Sequence, residues 1–164
     1  MTIPKKQNAV RALLAEYGKA INELQQVIAS ITDGDLTATL EPVSEDNVFK
    51  TLQAILTHVV SSGYSYCIYI KQLRGFNEKR PEKILLFSIE EYRQVLDELF
   101  TFTCESFIDI SDAELEEFED EKKIKTSWGQ LYDIEQIMEH AIVHILRHRL
   151  QIEKIKLILK NKPH

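Results

Sequence analysis

Glycine and proline are scarce in this chain, at five and four of 164 residues. That excludes collagen-like and linker-rich chains and argues against a turn-dense all-β fold. The two cysteines, Cys67 and Cys104, are too few for a disulfide scaffold and lack metal-ligand spacing. No apolar run approaches the roughly 18 residues of a membrane span. The opening stretch MTIPKKQNAV has no apolar h-region, so no secretory signal is expected and a reducing cytoplasm is the default location. The net charge is −6, which argues against sequence-independent binding to nucleic acid. Neither a serine nucleophile elbow nor a glycine-rich phosphate loop is present.

What remains is helical patterning, with no convincing strand. One domain over residues 1–164 is expected, and 44% hydrophobic content is enough to bury a core. The spacing predicts a first helix from about Pro4 to Ile31, with Val10, Leu13, Leu14, Tyr17, Ile21, Leu24, Val27, Ile28 and Ile31 on one stripe and Gly34 as a C-cap. A second helix is predicted from about Glu45 to Leu73, capped by Ser44, with small residues (Ser61, Ser62, Gly63, Ser65) at its middle. Such a patch allows either a close helix approach or a cavity. Arg74–Lys83 reads as a charged loop. Ser88 and Glu91 form a capping box for a third helix reaching about Ile110. After a connection whose acidic run reads as a solvated face, and in which Ser111 could cap a short helix, a last helix is predicted from near Trp128 to about Lys160. Four amphipathic helices make an all-α four-helix bundle with long connections the economical fold.

The chemistry-bearing residues are histidines. His140, His144 and His148 follow at i, i+4 and i+8 in the last helix, and His58 lies mid-way along the second. Histidines at i and i+4 share a face and can both reach one metal ion. His140 and His148 are about 12 Å apart along the axis, so only one adjacent pair serves a single ion. His148 replaces an apolar residue at the centre of the stripe, and burying it unpartnered would cost a few kcal/mol. That favours His144 and His148. A third imidazole from the facing helix, His58, would complete a set that leaves coordination positions open. Di-iron chemistry of the ferritin type needs a glutamate three residues before a ligating histidine. Ala141 and Ile145 stand there instead.

Three segments resemble the DinB-like (DinB/YfiT) superfamily of bacterial metal-binding bundles. They are Ile55-Leu56-Thr57-His58-Val59-Val60, Trp128-Gly129, and His144-Ile145-Leu146-Arg147-His148-Arg149-Leu150-Gln151-Ile152. The resemblance implies a divalent ion, nickel or zinc, on His58, His144 and His148. It also implies a metal-dependent activity on a small molecule: S-transfer with a low-molecular-weight thiol, or hydrolysis. One departure is Leu150, where the family pattern has a small residue; a larger side chain would narrow the pocket or alter a helix contact. His140 is expected beside the ligands or at the pocket rim. Gln151 could orient a ligand, and Tyr66 or Tyr69 could donate a hydrogen bond, although packing or surface polarity is the plainer account of these three. Arg147 and Arg149 read as a solvated face that could bind a carboxylate. Cys67 and Cys104 are expected to be buried and inert. No catalytic residue is assigned beyond the ligands, and neither nucleic acid nor membrane is an expected partner. A homodimer through the first and last helices is an expectation. So is the competing reading, a non-enzymatic bundle that binds a small molecule or a partner.

Overall fold

The computed structural model describes residues 8–40 and 49–161. Its framework is four long helices: α1 (Asn8–Ile28), α3 (Leu52–Leu73), α4 (Ile89–Ser106) and α5 (Ile134–Lys160), with a short α2 (Asp33–Thr37) after α1. The all-α expectation holds. The predicted starts at Pro4, Ser44 and Glu45 lie outside the described residues.

Burial follows the sequence stripes closely. In α1 Val10, Leu14, Tyr17, Ile21, Leu24 and Ile28 are buried in alternating steps of four and three, with Ala20 buried beside them and Leu13 and Val27 half-buried. In α5 they are Ile134, Met138, Ala141, Ile145, His148, Ile152 and Ile155 in the same rhythm, with Ile137 beside them. That 3.5-residue period keeps one seam facing its neighbours over the whole length of a helix. Each fully buried aliphatic side chain contributes about 1.5–3 kcal/mol.

The helices form a ring in the order α1, α5, α3, α4, with α1 opposite α3 and α4 opposite α5. Side-chain pairs fix their directions. Glu23 meets Arg149 and the Val27 carbonyl meets Lys156, so α1 and α5 run parallel. Thr57 meets Tyr92 and Cys67 meets Thr103, so α3 and α4 run parallel. Gln25 bonds the Arg93 carbonyl, and Tyr66 lies against His140, so α1 against α4 and α3 against α5 are antiparallel. Successive helices therefore run up, down, down, up. A parallel α3–α4 pair cannot be closed by a tight turn. Residues 74–88 instead run back along the bundle as a strap.

Several boundaries differ from the sequence expectation, each for a local reason. The first helix stops at Ile28, and Gly34 is not its C-cap. Thr32 accepts from the Asp35 amide and starts α2, with Gly34 inside that turn. Residues 49–51 are not helical, because the Thr51 hydroxyl accepts from Ala54 N at 3.0 Å and starts α3 there. The Ser88–Glu91 capping box is formed as predicted, but α4 ends at Ser106 and not at Ile110. A single 3-10 turn, Asp112–Glu114, follows Ser111. The last helix starts at Ile134, capped by Asp133, and not at Trp128. Trp128 lies in a hairpin missed in the sequence, β1 (Ile124–Lys125) paired antiparallel with β2 (Leu131–Tyr132). Its turn needs Gly129, whose φ of +88° is strained for any residue with a Cβ. Gly63 settles the question of the small-residue patch at that position. A Cβ there would lie 2.5 Å from Leu99 Cδ2 and 2.9 Å from the Tyr17 hydroxyl, so glycine permits a close α3–α4 approach. The neighbouring serines face elsewhere, onto a cavity.

Candidate metal centre

The antiparallel α3–α5 pair brings His58 opposite His144 and His148. The Nε2 atoms of His58 and His144 are 3.0 Å apart. Ring centroids are separated by 4.9 Å (His58–His144), 5.0 Å (His58–His148) and 4.5 Å (His144–His148). One nitrogen from each ring falls within 4.8 Å of those of the other two. With metal–nitrogen bonds of about 2.05 Å, the expected nitrogen–nitrogen separation is about 2.9 Å for right-angled ligands and about 3.4 Å for tetrahedral ones. The His58–His144 spacing lies in that range, so the donor set fits a divalent ion held on one face.

The supporting contacts fix the rings. His148 is 7% exposed, and its Nδ1 lies 2.9 Å from Gln151 Oε1. An amide oxygen can only accept, so Nδ1 carries the proton and Nε2 is left with its lone pair. Gln151 lies one turn on from His148 in α5, and its side chain is in contact with that ring and not left to the surface. Phe49, just before the Thr51 cap, sets its ring 5.1 Å from that of His58 and 5.8 Å from that of His148. It closes one side of the cluster. Nothing in the sequence singled it out.

Electrostatics keep the imidazoles neutral. Burial, then His148 and the Lys83 ammonium, pushes His58 down to about 4. Burial, then His148, His58, His140 and Arg147, pushes His144 down to about 3. His148 is lowered by burial, partly offset by its bond to Gln151. A metal ligand must be the unprotonated ring, and all three meet that requirement at neutral pH.

On the open side of the cluster lies a cavity of about 390 Å³ between α3, α5, the hairpin and the strap. His58 and His144 form its floor. The Tyr66 ring packs edge-on against both His140 and His144. His140 stacks on Trp128 at 5.1 Å and sits at the rim, outside the three-ring cluster. The Tyr69 hydroxyl accepts from Ser127 N at 2.9 Å, which ties the hairpin to α3.

Residues 5–155 match the sequence pattern of the DinB family. The chain belongs to the DinB family. No curated relative matches it.

Two expectations about this DinB protein change. Leu150 is 50% exposed and is not among the residues that line the cavity, so it does not narrow that pocket. Arg149 is not part of a solvated face: it is partly buried against α1, where it pairs with Glu23. Arg147 is exposed. Cys67 and Cys104 are buried, and burial pushes the Cys67 thiol up to about 11. No helix among the described residues is long and apolar enough to cross a membrane. Ser61, Ser62 and Ser65, read in the sequence as a patch that could leave a cavity, do line it, whereas sequence reasoning passed over Arg80, Lys83 and Trp128 as lining residues. For Trp128 the Trp-Gly pair was a signal, since a glycine at positive φ marks a turn that aims its neighbour.

Proposed function

We propose that this DinB protein is a metal-dependent enzyme that holds a divalent ion, nickel or zinc, on His58, His144 and His148. The observation behind this reading is a three-imidazole cluster with one side closed by Phe49 and the other open to a 390 Å³ cavity. A closed fourth protein ligand would mark a structural site, and among the described residues the metal-ligand group consists of these three histidines alone. When bound, the ion would supply Lewis acidity that lowers the pKa of a thiol or water beside it. The chain's own residues do the rest. Gln151 sets the His148 tautomer, Phe49 excludes water from one face, and Tyr66 and Trp128 wall the space in which a small molecule would sit. A cavity of this size suits a small-molecule substrate. We favour S-transfer from a low-molecular-weight thiol, with hydrolysis as the other chemistry.

The test is metal analysis of untagged protein, beside His58→Ala and His148→Ala. About one equivalent of nickel or zinc, lost in both variants, is the expected result. A screen for metal-dependent consumption of thiols by electrophiles then follows. Wild-type protein that retains no metal after incubation and desalting would instead make this a non-enzymatic bundle with core histidines.

A further inference from the structure

The charges around the cavity run against the character of the whole molecule. The chain carries −6, yet the charged side chains in this lining, other than histidine, are Arg80 and Lys83, with no carboxylate among them. Both come from the strap. Its acidic residues lie outside this lining: Glu78 pairs with Lys71 at 2.5 Å, and Glu82 lines the neighbouring cleft toward α4, which shares Ser61 and Lys83 with the cavity. Among the described residues, neither Arg80 nor Lys83 has an acidic partner within ion-pair distance. Arg80 is nonetheless held. Its Nη1 donates to the Ser61 hydroxyl at 2.7 Å, and Ser61 is 8% exposed. Ser65 lies 3.5 Å from the same nitrogen and is itself anchored on the Ser61 carbonyl. A guanidinium pinned by one nitrogen keeps its remaining donors for a two-oxygen anion. Lys83 lines the same cavity as His58 and His144.

We infer that the strap makes this cavity an anion site, in which Arg80 and Lys83 anchor a carboxylate or phosphate group of the small-molecule ligand above the histidine cluster. This deepens the proposed function by naming the ligand class, and the anchoring itself requires no metal. It also explains the small residues of α3 that Gly63 does not account for: Ser61 and Ser65 position the guanidinium, and larger side chains there would fill the place of the anion.

The protein supplies its own reporter. Trp128 is the single tryptophan and lines this cavity. Succinate, inorganic phosphate and the neutral succinamide are titrated into metal-free and nickel-incubated protein at low salt, followed by tryptophan emission and calorimetry. Saturable binding of succinate or phosphate in both preparations, with none of succinamide, is expected; which anion binds tighter decides between carboxylate and phosphoryl ligands. Arg80→Gln and Lys83→Gln should each weaken binding at least fivefold. Lys79→Gln, on the same strap but outside the lining, should not. All three positions are exposed, so melting temperatures should match wild type. Anion binding that survives Arg80→Gln, that falls equally in Lys79→Gln, or that is absent from wild type overturns the inference. Anion binding without metal retention would refute the enzyme reading and leave this one standing.

Discussion

Replacing Gln151 by alanine isolates one atom of the proposed centre. Gln151 Oε1 is 2.9 Å from His148 Nδ1. Without it, a mostly buried N–H loses its acceptor, at a cost of about 1–3 kcal/mol. The ring then pays nothing to flip or to place its proton on Nε2, the atom the ion needs. Orienting partners of ligating histidines are typically worth about 10–100-fold in metal affinity, or about 1.4–2.7 kcal/mol, so two independent estimates agree. Gln151→Ala should therefore weaken nickel or zinc binding by at least tenfold in a competition titration against a chromophoric chelator. The helical circular dichroism should be unchanged, because the substitution lies on a continuous helix and alanine favours that state. Gln151→Glu should restore affinity, since a carboxylate accepts the same proton and makes the ring more basic. Affinity within twofold of wild type for Gln151→Ala, in a protein that does bind metal, would refute the tautomer argument while leaving the three ligands in place.

Three further outcomes follow from the packing and the charges. Gly63→Ala gains about 1 kcal/mol of helix propensity, but its Cβ would strike Leu99 and Tyr17, and overpacking costs about 1–3 kcal/mol; a lower urea midpoint is expected, and a raised one would mean that α3 and α4 separate freely. His58 and His144 titrate near 4 and 3 in the fold, below the ordinary 6.5. The unfolded chain thus binds protons from pH 6.5 downward that the fold refuses, and metal-free protein should lose stability as pH falls through 6.5 toward 4, by at most about 1.4 kcal/mol per unit per histidine before allowance for partial exposure. Urea melts at pH 7.5 and 5.5 should show this loss, and His144→Asn should reduce it; an equal loss in that variant would place its origin elsewhere. The buried Cys67 and Cys104 thiols should resist an aromatic disulfide reagent in native protein and react on unfolding; rapid native reaction would contradict their burial.

The residues that declared themselves in the sequence are those governed by period. His148 interrupts an apolar stripe at a core step, and burial at that step is what the fold delivers. His144, one turn earlier, and His58, near the seam of α3, follow from the same geometry. Helix ends were less legible, because a hydroxyl such as Thr51 can claim an amide ahead of a segment whose composition still reads as helical. Trp128 shows the same limit: five residues of hairpin were read as the first turn of α5, since a two-residue strand pair has too few alternations to register. Arg80 and Lys83 were invisible for a different reason. Their position depends on the route of a loop, and that route is set by the parallel direction of α3 and α4, which no local pattern encodes.

The parallel pairing of α1 with α5 also governs when the histidine cluster comes into being. Contacts such as Glu23–Arg149 join residues more than 100 positions apart, so the first helix waits for the last before its seam is covered. Folding that depends on such distant closures is slower than in bundles built from adjacent hairpins. Two of the three clustered imidazoles ride on that last helix. During synthesis, His58 is thus made early and left alone. The cluster forms only once α5 has been made and docked, so retention of an ion would report that docking, and a chain truncated before His144 would have nowhere to keep one.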